Sequence, residues 1–158
     1  MTPAETIRHV VLPAAFHLLP EAMRSVDAVT LLMAIGYQES RFEHRRQIRG
    51  PARGFWQFEV GGVSGVLRHR ATRPFALLVC EALGYEPSPM IVHEALEHND
   101  ILAACFARLL LWADPRPIPA SPEAAWDAYI FGWNPGKPHP DTWAACFDRA
   151  QRGGVVRA

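Results

Sequence analysis

Apolar residues recur at helical spacing over most of this 158-residue chain. Val26, Val29, Leu32, Met33 and Tyr37 fall on one side of a 3.6-residue period, which predicts a core helix opening at Ser25 and ending near Glu39. Upstream, Thr2-Pro3-Ala4-Glu5 carries a capping threonine, a proline suited to the first helical position and a glutamate that completes a capping box. That start predicts a helix to about Leu19, kinked or split by Pro13, because proline lacks a donor and crowds the preceding turn. Further helical patterns cover about 72–84, 99–113, 121–131 and 141–151, with Asn99 or Asp100 capping one and Ser121-Pro122-Glu123 opening another. Between 46 and 60 the pattern changes. Gly50-Pro51 supplies a turn and Phe55-Trp56-Gln57-Phe58 is aromatic, which predicts a short β-hairpin. Strand alternation would put Phe55, Gln57 and Glu59 on one face and Trp56 and Phe58 on the other. Prolines at 87, 89, 115, 117, 119, 135, 138 and 140 read as rigid turns between short helices. The expectation is a single domain over 1–158 of the α+β class, predominantly helical with one small hairpin.

Composition narrows the class. At 49% hydrophobic and 20% charged residues the chain has the means to build a core, which excludes a disordered tail protein. Sixteen basic residues balance sixteen acidic ones, so no net charge points to nucleic acid or to an anionic membrane. No apolar run approaches the ~20 residues of a membrane span. Glu5, Arg8 and His9 stand where a signal peptide would be apolar, so the expectation is a soluble product synthesised in the cytoplasm. Cys80, Cys105 and Cys146 are odd in number and lie far apart in apolar stretches, which reads as buried free thiols.

Two chemical signals fail on spacing. His93-Glu94-Ala95-Leu96-Glu97-His98 has Glu97 where a zinc helix needs its second histidine, and reads as a solvated helix face. Gly61-Gly62-Val63-Ser64-Gly65 lacks the lysine of a phosphate loop and the geometry of a serine elbow, and reads as a flexible turn leading into a helix. No metal or organic cofactor is implied.

A third signal is more specific. Glu39-Ser40-Arg41-Phe42 closes the apolar helix, Gly54-Phe55-Trp56-Gln57 follows, and Gly132-Trp133-Asn134-Pro135-Gly136 lies further on. This order resembles the soluble lytic transglycosylases and goose-type lysozymes, whose pattern is Glu-Ser-x-Phe, Gly-Leu-Met-Gln and Ala-Tyr-Asn-x-Gly. Gln57 follows Glu39 by eighteen residues, the separation of that pattern, and the match spans residues 28–137. The resemblance implies a lysozyme-like fold and cleavage of the β-1,4 bond between N-acetylmuramic acid and N-acetylglucosamine in peptidoglycan strands. Glu39 would be the catalytic acid, in keeping with a carboxyl at a helix end beside an apolar wall that retains its proton. Ser40 and Gln57 would make polar contacts around the sugar and the acid, and Asn134 would sit in the loop that closes the cleft. Phe55, Trp56 or Trp133 would offer a surface for a sugar ring, whereas Trp112 and Trp126 lie in helical patterns and read as core.

The departures from the pattern are also informative. Trp133 stands where the pattern has a tyrosine, so a hydroxyl near the acid must be missing or come from elsewhere, Tyr129 being one source. Trp56 replaces a methionine, and Gly50-Pro51-Ala52-Arg53-Gly54 changes the turn. A hydrolysing lysozyme needs a second carboxylate, ~5–5.5 Å from the acid for retention or ~6.5–9.5 Å for inversion. Glu59 is the candidate, since residues two apart along a strand are separated by about 6.5 Å; Glu43 is the lesser one. In lytic transglycosylases one glutamate suffices, because the 6-hydroxyl of the sugar is the nucleophile. A product without a signal peptide would reach the bacterial cell wall or periplasm as a phage endolysin or virion component. The alternatives are a hydrolase using Glu59 and a non-catalytic glycan-binding or phage structural protein. The charge is polarised along the chain, −2 over residues 1–40, +6 over 41–73 and −4 over 74–158, which suggests a cationic rim of Arg45, Arg46 and Arg49 that steers an anionic strand.

Overall fold

Thr2 and Glu5 close the expected capping box, the Glu5 N–H donating to Thr2 Oγ1 at 3.2 Å and the Thr2 N–H to Glu5 Oε2 at 2.7 Å. From there the computed structural model describes residues 1–153, of which 64% are helical. Helix α1 (Pro3–Thr6) runs through a π segment, Ile7–Val11, into α2 (Leu12–His17). The Leu12 N–H reaches back five residues to the Ile7 carbonyl, and Pro13 follows where no donor is available. The widened turn is how the helix absorbs the proline without a break. After a 3-10 turn at Glu21–Met23, Ser25 caps α3 (Val26–Ser40) by accepting from the Ala28 N–H at 3.0 Å. The remaining helices are α4 (Val60–Arg68), α5 (Arg73–Leu83), α6 (Pro89–Ala95), α7 (Asp100–Trp112), α8 (Pro122–Trp133) and α9 (Pro140–Arg152).

Helix α7 is the axis of the molecule. Every residue from Leu102 to Leu109 is buried, as expected of a helix that is apolar on all sides but for Arg108, and α2, α3, α5 and α8 pack on it. Helix α3 is buried without interruption from Leu31 to Gly36 and lies along α9. Each large side chain buried there contributes about 1.5–3 kcal/mol, so this packing, rather than α3's own propensity, holds the helix to its last turn.

The predicted hairpin is not formed. No strand occurs among the described residues, and the 46–60 segment makes only two isolated antiparallel bridges, Arg46 to Arg53 and Arg53 to Phe58. Arg49, Gly54 and Gln57 have φ of 58°, 77° and 51°, and left-handed residues at such short intervals leave no extended run to pair. The predicted alternation fails with it: Phe55, Trp56 and Phe58 are all buried, because a turn closed by the Gln57 N–H on the Gly54 carbonyl at 3.0 Å directs them all inward. A side chain at Gly54 would be strained by its φ and would meet the Leu96 carbonyl at 3.0 Å, so glycine is required there.

Two other expectations are corrected. The Gly61–Gly65 stretch lies within α4, anchored by buried Val63, Val66 and Leu67. The face of His93 and Glu97 is not solvated: His93 is buried with Nε2 2.9 Å from the Phe58 carbonyl, and Glu97 pairs with Arg53 at 2.7 Å. Both contacts clamp α6 and the turn after it to the 53–58 loop. Cys80 and Cys105 are buried free thiols, while Cys146 is only half-buried.

Candidate functional site

Helix α3 ends abruptly. Arg41 and Phe42 both have φ of 55°, which reverses the chain immediately beyond Glu39 and Ser40. Phe42 then folds its ring back over Gly36, where an added Cβ would lie 2.0 Å from Phe42 Cζ. The missing side chain at Gly36 therefore makes the reversal possible. Ser40, expected at the sugar, is 4% exposed and holds this corner together. Its Oγ donates to the Phe55 carbonyl at 2.6 Å, lies 3.2 Å from the Gly36 carbonyl and accepts from the Phe42 N–H at 3.2 Å. Ser40 thus fixes the end of α3 against the 54–57 turn and does not face the pocket.

Glu39 lies at the wall of a pocket of about 580 Å³ between the ends of α3 and α8 and the 57–62 segment. Burial raises its carboxyl above the usual range, and a hydrogen bond from the Tyr129 hydroxyl to Oε1 opposes that rise. Tyr129 projects from α8 one turn before Trp133. Burial first, and then the neighbouring Glu39 charge, push its phenol up, which keeps it protonated and donating. The Tyr129 ring is fixed by stacking on Trp143, 5.3 Å between centroids at an interplanar angle of 6°, and by contact with Trp126 at 5.4 Å. The hydroxyl that Trp133 cannot supply is therefore provided from position 129.

Of the other sequence candidates, Gln57, Glu59, Trp133 and Asn134 line this pocket. Gln57 donates from Nε2 to the Gly54 carbonyl at 2.9 Å, which orients the amide. Glu59 is exposed at the residue before α4, and its side chain makes no capping hydrogen bond. Trp133 is half-buried and donates from Nε1 to the Trp56 carbonyl at 2.8 Å, tying α8 to the 54–57 turn. Asn134 ends α8 in the left-handed region with φ of 42°. Phe55 and Trp56 do not line it. Phe55 is 1% exposed with the Arg45 guanidinium 4.3 Å above its ring, and Trp56 is fully buried with Nε1 on the Leu32 carbonyl at 2.8 Å. Both belong to the core, so of the aromatic residues expected to offer a stacking surface only Trp133 is available.

Glu39 and Glu59 are the two carboxylates among the described lining residues, and Glu43 is not one of them. The cations on the wall are not the expected ones. None of the arginines of the +6 segment lines the pocket; Arg45 is bound to Asp100 at 2.9 Å and Arg53 to Glu97 at 2.7 Å. Lys137, the single lysine of the chain, lines it instead, beside His139. Sequence reasoning missed both, together with Gln38, whose Nε2 donates to the His139 carbonyl at 3.0 Å and anchors that loop. The proline-rich run around Lys137 was the available signal. No group of three or more His, Cys, Asp or Glu side chains able to hold a metal ion occurs among the described residues, and no helix there is long and apolar enough to cross a membrane.

No protein-family model, curated protein or solved structure matches the chain.

Proposed function

We propose that the chain is a peptidoglycan-cleaving enzyme of the lysozyme-like class, with Glu39 as the general acid. The observation that carries this reading is the environment of Glu39, a desolvated carboxyl with raised proton affinity, oriented by Tyr129 and open to a pocket. Such a group can hold its proton at a pH where exposed carboxyls have lost theirs, and deliver it to the oxygen of a glycosidic bond. The Tyr129 hydrogen bond stabilises the carboxylate left behind, which can then take a proton from the incoming nucleophile. If that nucleophile is the 6-hydroxyl of the cleaved sugar, the second carboxylate is unnecessary and the product is a 1,6-anhydro ring, the outcome of a lytic transglycosylase. Trp133 offers an apolar face for a ring of the glycan, and Gln57 and Asn134 offer amides for its hydroxyl and acetamido groups. Lys137 would face the lactyl or peptide carboxylates of the strand.

A second reading rests on Glu59, which lines the same pocket and would activate water in a hydrolysing lysozyme. Digestion of purified cell walls separates the two. Anhydro-ended muropeptides in the mass spectrum support the transglycosylase, and reducing ends together with loss of activity in Glu59→Gln support the hydrolase. Wall clearing on a zymogram that survives Glu39→Gln would overturn both, and retention on walls without any clearing would make the domain a glycan-binding or phage structural one. Action at the bacterial cell wall, from a phage or its particle, is part of the same proposal.

A further inference from the structure

Away from the cleft, the N-terminal end of α3, the C-terminal end of α7 and the loop after α7 enclose a second pocket of about 610 Å³. Arg108 forms part of its wall although it is only 3% exposed. Its Nε donates to the Met23 carbonyl at 2.7 Å, and its Nη1 is buried with no hydrogen-bond partner among the described residues. It belongs to none of the ion pairs found among those residues. The Asp114 carboxylate is committed to Arg116, 2.7 Å away, and besides the Met23 carbonyl the guanidinium has the face of Trp112, 5.6 Å from its central carbon. Burial pushes Arg108 down to about 10, so it is still a cation at neutral pH. A desolvated guanidinium without a counter-ion is among the least favourable arrangements a core can contain. It calls for an explanation beyond packing.

We propose that this pocket binds a small monocarboxylate with an apolar body, its carboxylate held by the Arg108 guanidinium. The Nε tether to Met23 fixes the plane of the fork, which matches a carboxylate in shape and charge. Leu111, Trp112 and Ile118 supply the apolar wall for the rest of the ligand. Asp114 in the same wall is neutralised by Arg116, which leaves Asp27 as the charge that penalises a doubly charged ligand and favours a carboxylate over a phosphate monoester. The site is independent of the cleft and of the function proposed for it.

The test is a titration of the intact protein followed by two-dimensional NMR at the Trp112 indole N–H and the Arg108 Nε–H, with sodium benzoate as probe. Benzoate is expected to give saturable shifts at both, with a Kd on the order of 1 mM for so small a ligand. Benzyl alcohol should bind at least about tenfold more weakly, as should benzoate to Arg108→Gln, since a charge-assisted contact is lost in each case. Phenyl phosphate should bind more weakly than benzoate. Asp27→Asn, an exposed change on the first turn of α3, should tighten benzoate by about twofold or more; it keeps the question open to test if Arg108→Gln fails to fold. The proposal is overturned if benzyl alcohol binds as tightly as benzoate, if phenyl phosphate binds more tightly, if Asp27→Asn has no effect or weakens binding, or if the shifts centre on Trp133 in the cleft.

Discussion

Glu39 and Arg108 are both ionisable groups withdrawn from water into pocket walls. Asp27 in the second pocket and Glu39 in the cleft lie on the same helix, twelve residues or about 18 Å apart. Desolvation acts on both in the same sense, against the charged form, so the acid is raised and the base is lowered. The consequences diverge because the starting points differ. A raised carboxyl moves toward neutrality, where it can take up or release a proton. A guanidinium lowered to about 10 remains charged throughout that range. The neighbours reinforce the contrast. Glu39 has a hydroxyl that responds to its charge, whereas Arg108 has one carbonyl, an aromatic face and an uncommitted Nη1. Desolvation thus yields a carboxyl of raised proton affinity at one site and a fixed positive charge at the other.

Glu39 is the position where a substitution should change the molecule most. Glu39→Gln should lower wall clearing by about 10²–10⁴-fold, the usual contribution of a general acid, as measured by turbidity of a cell-wall suspension. The same change should raise Tm at neutral pH by roughly 2–4 °C, because it removes a carboxylate that is costly to bury. The sign follows from the raised proton affinity in the folded state: the penalty exists above that value and vanishes once folded and unfolded forms are both protonated. The gain should therefore fade as pH drops from that raised value to below the ordinary glutamate range, and a Tm difference that grows on acidification would refute the shift. Ser40→Ala comes next. It strands the buried Phe42 N–H and weakens the tie to the Phe55 carbonyl, and should cost about 1–3 kcal/mol in a denaturant titration. Wall clearing should fall with it, since the corner sets the direction of Glu39. Tyr129→Phe has a smaller effect on fold and a diagnostic one on titration. Without the hydroxyl the Glu39 carboxylate is less stabilised, its proton affinity rises further, and the alkaline limb of the pH–activity profile should move to higher pH. Movement to lower pH would mean that the hydroxyl does not stabilise the carboxylate. The smallest expected effect is on the Arg108 side. Arg108→Met exchanges an uncompensated buried cation for an apolar chain, and should leave stability within about 1 kcal/mol of the parent.

Much of this arrangement was legible in the chain. The period of 3.6 placed α3 and put Glu39 at its end, because the buried run Leu31–Gly36 leaves that helix no other way to lie. Caps at Thr2, Ser25, Asn99 and Ser121 were readable because a side-chain oxygen must satisfy free N–H groups at each start. The 46–60 segment was not readable, since Arg49 and Gln57 adopt left-handed backbone without being glycine, and nothing local announces that. Helix α4 was masked by Gly61, Gly62 and Gly65, whose low propensity is overridden by the burial of Val63, Val66 and Leu67. In the site, Glu39, Gln57, Glu59, Trp133 and Asn134 reach one pocket, while Ser40 and Phe55 turn inward. Exposure of that kind depends on the tertiary reversal at Arg41 and Phe42. Arg108 was hidden for the opposite reason, as a polar residue within an apolar run that gives no sign of facing inward.

Tyr129 and Trp133 stand four residues apart on α8 and share one face of it. Tyr129 holds the Glu39 carboxyl from that face, and Trp133 grips the Trp56 carbonyl from the next turn. One face of α8 thereby couples the acid to the 54–57 turn, so a rotation of that helix would disturb both at once.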